Sequence, residues 1–142
     1  MSYSLSFSKA ILVAIFVADK VAQGMYDFVP TKLVSESLNI PKPTAVKILQ
    51  GLAKSGIIET REGAKGGIRL AMSADDVTIL SIFNAIEFER PLFRADLNIK
   101  ITGEKPTRSQ QAIRTVLEDS ERRMKTSLAE VTIADLVNEI NS

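Results

Sequence analysis

Apolar positions along the chain recur mostly at spacings of three and four, which places them on one face of an α-helix. The helices that this pattern predicts cover residues 9–23, 32–38, 42–55, 79–87, 107–130 and 133–141. Four residues stand where a side-chain oxygen can cap a helix N-terminus: Ser8, Thr31, Thr78 and Thr132. Gly24 and Gly56 stand where a helix can end. The residues predicted to form the buried face of the third helix are Ala45, Ile48, Leu49, Leu52 and Ala53.

Two short aliphatic runs, residues 57–60 and 68–71, flank a glycine-rich loop and predict a β-hairpin. Residues 25–30 read as a connector, and residues 88–106 as a loop without a clear period. The order helix, helix, tight turn, helix, hairpin is that of a winged helix-turn-helix. The predicted fold class is therefore mainly α with a small β-hairpin, followed by a long C-terminal helix.

The long helix carries a narrow apolar seam. Its members are Ile113, Val116, Leu117, Ser120, Met124 and Leu128. Such a stripe needs a partner, which is either the rest of the same subunit or a second copy of the chain. The apolar stripe by itself leaves both possibilities open. The chain is predicted to form one integrated domain, with residues 1–90 as the winged helix-turn-helix DNA-binding region and residues 91–142 as loop, candidate dimerisation helix and final helix.

Composition removes several classes of function. The 142 residues include no Cys and no His, which rules out disulfides, thiolate metal sites and the commonest general base. We therefore expect a binding protein rather than an enzyme. No stretch reaches the ~18 apolar residues of a membrane span, so a cytoplasmic protein is predicted. Net charge is +1 overall, yet residues 1–71 carry +4 and residues 72–142 carry −3. A basic first half is typical of a nucleic-acid reader.

The third helix is compact enough for the major groove of double-stranded DNA, and the hairpin loop would reach the flanking backbone. The candidates for reading bases or lining the groove are Lys42, Thr44, Lys47 and Gln50. The candidates for holding phosphate or sugar are Thr31, Lys54, Arg61, Lys65, Gly66, Gly67 and Arg69. The loop glycines would let the backbone approach phosphates, and the basic side chains would supply charge.

The run from Gly56 to Ala71 reads Gly-Ile-Ile-Glu-Thr-Arg-Glu-Gly-Ala-Lys-Gly-Gly-Ile-Arg-Leu-Ala. It resembles the hallmark of the Rrf-two family of bacterial transcription regulators. Residues 77–82, 85–87 and 132–136 are also similar to that family. The resemblance implies a dimeric regulator, usually a repressor, in which the long helix pairs two subunits. Two-fold pairing predicts a roughly palindromic operator.

One departure from the family bears on cofactors. Cluster-binding members carry three cysteines between the fourth helix and the long helix, whereas this sequence has none. A thiolate-held iron–sulfur cluster is therefore excluded, and no cofactor or metal is expected.

Two alternatives stay open at this point. A winged helix with a basic face can instead contact an acidic protein. An unknown small-molecule effector could also enter a cavity lined by Phe83, Phe88 and Phe93, although such rings are more often core residues.

Overall fold

The computed structural model describes residues 5–87, 91–93 and 95–142, and these ranges contain six helices and one antiparallel hairpin. The elements are α1 (Ser6–Ala22), α2 (Thr31–Ser37), α3 (Lys42–Lys54), β1 (Ile58–Arg61), β2 (Gly67–Leu70), α4 (Ile79–Glu87), α5 (Glu104–Ala129) and α6 (Ile133–Ile140). The element order is the predicted one. The mainly helical fold class, with its hairpin and long C-terminal helix, is confirmed.

The core forms where the apolar faces of α1, α3, α4 and α6 meet the hairpin. Its fully buried members include Val17, Leu52, Ile68, Ile82 and Ile133. The three- and four-residue spacing placed most of α3 correctly. Ala53 is an exception, because this residue is exposed.

α3 and α4 approach each other closely at a glycine. A Cβ added at Gly51 would lie 3.2 Å from the carbonyl oxygen of Ala85. The two helices therefore come close at this point, where the side chain of Ile86 lies 3.4 Å from the same Cβ position.

Val29 pairs with β2 of the hairpin in a single antiparallel bridge. Its amide donates to the carbonyl of Ile68, and the amide of Ile68 donates back, both at 2.8 Å. Residues 25–30 were expected to be only a connector, and that expectation is wrong at Val29. A single residue that pairs across 39 positions leaves no periodic signal in the sequence.

Two of the predicted caps are wrong. α1 begins earlier than expected, so Ser8 lies inside the helix and its hydroxyl donates to the carbonyl of Leu5. Thr31 is the first residue of α2, whose N-cap position is held by Pro30 without a side-chain hydrogen bond.

Two other caps are confirmed by their geometry. The hydroxyl of Thr78 accepts a hydrogen bond from the amide of Ser81 at 3.1 Å. Thr132 and Asp135 form a reciprocal capping box, with bonds of 3.1 and 2.9 Å. Each threonine thus satisfies an amide that the first helical turn leaves without a partner.

α5 begins at Glu104, three residues before the predicted start at Thr107. Pro106 falls in the first turn, where its missing N–H removes no hydrogen bond of the helix. None of the 26 residues of α5 is buried. The helix is about 39 Å long at ~1.5 Å per residue.

α6 brings the chain back to the N-terminal half. The amide of Ile133 donates to Val77 at 2.8 Å, and that of Ile79 donates to Val131 at 2.9 Å. α6 packs along α1. The expected division of the chain near residue 90 stays a prediction. Among the described helices, none combines the length and the apolarity needed to cross a bilayer.

Candidate nucleic-acid interface

α3 turns its polar side chains away from the core. Ala45, Ile48 and Leu52 are buried on one side, which leaves the opposite side open. The exposed predicted residues on α3 are Lys42, Lys47, Gln50 and Lys54. Thr44 is half-buried, and Thr31 is exposed at the start of α2. Within the described ranges, neither Lys42 nor Lys47 forms an ion pair.

Sequence reasoning missed Val46, which lies on the same open face and is 41% exposed. Together with Thr31, Lys42 and Ala45 it lines a groove of about 480 Å³ between α2 and α3. Its spacing of four from Lys42 could have identified it. The open face of α3 therefore contains an apolar side chain among the cations.

The wing, defined here as residues 59–69, holds its cations at two levels. Lys65 is exposed in the loop, whereas Arg69 stands on β2 and Arg61 ends β1, in the strand pair that borders the loop. The two strands pair in register, with Arg61 opposite Gly67 and Glu59 opposite Arg69. The wing thus places only Lys65 at its tip.

Both wing arginines are engaged by Asp27 and Phe28. Nη1 of Arg69 donates to Asp27 at 2.9 Å, and Nη1 of Arg61 lies 3.4 Å from the same carboxylate. The guanidinium carbons lie 4.0 Å (Arg61) and 4.3 Å (Arg69) from the centroid of the Phe28 ring. These are cation–π distances. The sequence pattern predicted neither Asp27 nor Phe28 as part of the site.

Glu59 completes the arrangement. Nε of Arg69 donates to its carboxylate at 2.5 Å. This hydrogen bond, with the nearby charges of Glu59 and Asp27, raises the pKa of the Arg69 guanidinium above its ordinary value. Arginine is protonated in proteins in any case, so this cluster contains two cations and two carboxylates. Among the predicted site cations, those that are exposed and form no ion pair within the described ranges are Lys42, Lys47 and Lys65.

The glycines of the wing have local structural reasons. A Cβ at Gly66 would lie 2.2 Å from the carbonyl oxygen of Arg61. A Cβ at Gly67 would lie 2.1 Å from that of Val29, and Gly67 has a φ of +150°. Both positions are thus closed to larger residues by the chain itself, whether or not a phosphate approaches.

The six seam residues of α5 fall into two groups. Leu117, Met124 and Leu128 are half-buried, and Leu128 packs against the core. Ile113 and Val116 are 44% and 61% exposed. They line a surface groove of about 270 Å³ together with Ala112 and Leu117. The hydroxyl of Ser120 is exposed and donates to the carbonyl of Val116 within the helix.

Two of the three phenylalanines of the expected ligand cavity, Phe83 and Phe93, lie in different surroundings. Phe83 is buried and stacks edge-on against Phe7, with ring centroids 5.2 Å apart. Phe93 lines a separate groove of about 290 Å³ that includes Pro91 and Arg114. Phe88 lies outside the described residues. Phe83 is therefore a core residue.

A family model described as "Rrf2: Iron-dependent Transcriptional regulator" matches residues 6–139. This chain belongs to the Rrf2 family. A relative from Synechocystis sp., named as a candidate HTH-type transcriptional regulator, is 33% identical over 69 residues. That match covers 49% of this chain and 47% of the relative, so the chain spans about half the length of the curated relative.

Several solved structures share the fold of this Rrf2 protein over nearly its whole length. T. potens IscR has a TM-score of 0.71 at 18% identity, over 99% of this chain and 88% of that one. CymR, the global cysteine regulator of B. subtilis, has a TM-score of 0.70 at 18% identity, over 98% of both chains. The oxidized form of Staphylococcus aureus CymR has a TM-score of 0.63 at 22% identity, over 96% of both.

The Rrf2 family is described as one of transcription regulators, so the prediction that this chain is not an enzyme is confirmed. The family description also names iron. The 142 residues offer neither thiolate nor imidazole, the usual ligands of iron–sulfur clusters. Between α4 and α5, the described carboxylate of Asp96 accepts from the amide of Asn98, and Glu104 on α5 pairs with Arg108. These donors do not fit such a cluster.

Proposed function

We propose that this Rrf2 protein binds double-stranded DNA as a homodimer in the bacterial cytoplasm and represses transcription from a roughly palindromic operator. The observation that carries the proposal is the open face of α3 beside the wing. There Lys42, Lys47 and Gln50 stand exposed on the third helix of a winged helix-turn-helix. α2 and α3 form the helix-turn-helix motif, and the second helix of such a motif, here α3, enters the major groove with its N-terminal residues against the base edges.

The side chains on this face suit the chemistry of the groove. Lysine can donate to the acceptors of guanine, and the amide of Gln50 can pair with adenine. Val46 offers an apolar contact of the kind that favours the methyl group of thymine. Lys54, at the end of α3, and Lys65, in the wing loop, would contact phosphates of the DNA backbone. Arg61 and Arg69 would do so only after leaving Asp27.

The homodimer is proposed from α5. A 26-residue helix without a buried residue, and with Ile113 and Val116 on its surface, would gain from a second copy that covers the apolar stripe. Ser120 does not oppose this, since its hydroxyl is already bonded within the helix. Two recognition helices related by a two-fold axis would lie about one DNA turn apart.

We infer further that the protein works without a thiolate-held cluster, because the donors described above do not fit one. A small-molecule effector stays a prediction.

The experiment is fluorescence anisotropy of the protein on its own upstream DNA and on a scrambled duplex, titrated with salt. Lys47→Ala should weaken binding to the upstream DNA by about 5- to 150-fold and reduce the preference over the scrambled duplex. Lys65→Ala should weaken both duplexes alike and lower the slope of log K against log salt by about one. Lys105→Ala, an exposed lysine at the start of α5, changes charge equally and should leave both values unchanged.

Equal and weak binding of the wild type to both duplexes, followed by failure to retain any fragment of genomic DNA, would overturn the proposal. The protein-contact reading of the basic face would then be favoured. If Lys65→Ala removed only the sequence preference, the division between base-reading and phosphate-holding residues would be wrong.

A further inference from the structure

Two cations and two carboxylates lie together where the wing strands meet Asp27. Arg61 and Arg69 share the carboxylate of Asp27, and Arg69 is also bonded to Glu59. The two partners lie 34 and 42 positions from Asp27 in the sequence. Two arginines expected to hold DNA phosphates thus already have anionic oxygens on their donors.

Because both guanidinium groups lie over the ring of Phe28, they could exchange one anionic partner for another while staying in position. A stacked guanidinium presents its face to the ring and keeps its N–H donors, which lie in the plane, at the edge. Phe28 is only 7% exposed, so its ring is largely enclosed. The anion at the edge, in contrast, is held loosely, since the Asp27 side chain is 68% exposed.

A carboxylate and a phosphate offer arginine the same thing, a pair of anionic oxygens that a fork of N–H donors can grip. We propose that Asp27 is an internal substitute for a DNA phosphate, which occupies the Arg61–Arg69 site in the free protein and leaves it when the wing docks on the duplex. This inference rests on the proposed function. It assigns to Asp27 control over how strongly the wing attracts any duplex.

The consequence is a lower affinity for DNA of arbitrary sequence. Non-specific binding comes almost entirely from phosphate neutralisation and counterion release. While Asp27 occupies the two arginines, they add little to that attraction. Only a duplex that also satisfies α3 would bring a phosphate close enough to displace the carboxylate. Asp27 would then raise the ratio of specific to non-specific binding.

The test compares two isosteric substitutions that remove one negative charge from the same region. Asp27→Asn removes the carboxylate that the two arginines share, whereas Glu59 stays bonded to Arg69. Glu62→Gln removes an exposed carboxylate of the wing loop that forms no ion pair within the described ranges. Affinity and salt slope are measured by anisotropy on the upstream DNA and on a scrambled duplex, and circular dichroism confirms the fold of each variant.

Asp27→Asn should bind the scrambled duplex about three- to ten-fold more tightly than wild type, with a salt slope steeper by about one. The upstream DNA should gain less, so the preference for it should fall. Glu62→Gln should change the slope little. In a background of Arg61→Gln and Arg69→Gln, Asp27→Asn should behave like Glu62→Gln.

Equal slopes for Asp27→Asn and Glu62→Gln, with duplex binding intact in the wild type, would overturn this inference alone. A persistent effect of Asp27→Asn without the two arginines would overturn it as well. If the wild type binds no duplex even at low salt, the proposed function fails and the inference fails with it.

Discussion

Gly67 lies where the wing meets Val29, and its conformation is one that other residues rarely adopt. Its φ is +150°, and the carbonyl oxygen of Val29 occupies the space of a Cβ. The same contact carries the pair of hydrogen bonds between Val29 and Ile68. A side chain at this position would therefore push the wing away from the core.

Gly67→Ala should lower the free energy of unfolding by at least about 2 kcal/mol, because backbone strain and a steric clash act together. Gly63→Ala is the matched control. Its φ is +99°, but an added Cβ meets nothing within 4 Å, so the loss should stay near ~1 kcal/mol. Urea denaturation measures both. Similar losses would mean that the contact with Val29 has little weight.

At this scale, part of the candidate site could be predicted from the sequence. Lys42 and Lys47 follow from helical periodicity, since a buried face implies an opposite open one. Asp27 and Phe28 could not be predicted, because their contacts with Arg61 and Arg69 join distant segments. Local pattern carries no information about which distant cation an exposed aspartate meets.

α5 contains no buried residue, and its apolar seam stays partly exposed in the single chain. Periodicity predicted its seam, and the structure shows that Ile113 and Val116 form the exposed part. The predicted start was three residues late because Pro106 was taken as a boundary, whereas the first turn tolerates proline. The period itself does not encode what covers the seam.

Val116→Glu should shift the protein from dimer to monomer while leaving its fold intact, because Val116 is 61% exposed in the single chain. Leu117→Glu should act in the same direction, with some cost in stability since Leu117 is half-buried. Thr115→Glu places the same charge on another face of the helix and should leave the dimer unchanged. Sedimentation velocity distinguishes these cases. A Val116→Glu dimer of wild-type strength would remove α5 from the interface.

On the scale of the whole molecule, the last helix packs into the same hydrophobic core as the first helix. Ile133 is fully buried, and α6 lies along α1, where Asn141 donates to Asp19 at 3.0 Å. The capping box at Thr132 predicted where α6 begins, but its packing partner depends on tertiary contacts between the two halves of the chain. The fold order was predictable, and the closure of the chain on itself was not.

Ile133→Ala should cost about 2–5 kcal/mol in the free energy of unfolding, as expected for a large aliphatic side chain removed from a core. Near-ultraviolet and far-ultraviolet signals should then be lost together, since α6 and α1 share one core. Ile140→Ala, at the exposed end of α6, should cost less than ~0.5 kcal/mol. Separate unfolding of α6 would contradict a shared core.

The glycine contact between α3 and α4 has a consequence for how this protein can diversify. The angle of α3 is set against a backbone carbonyl at Gly51 and by buried residues, none of which lies on the open face. Orientation and outward chemistry are therefore encoded at separate positions. The outward residues of α3 can be substituted together without tilting the helix; they include Lys42, Val46, Lys47 and Gln50. Evolution or design can thus change the binding specificity of this surface while the core that supports it stays the same.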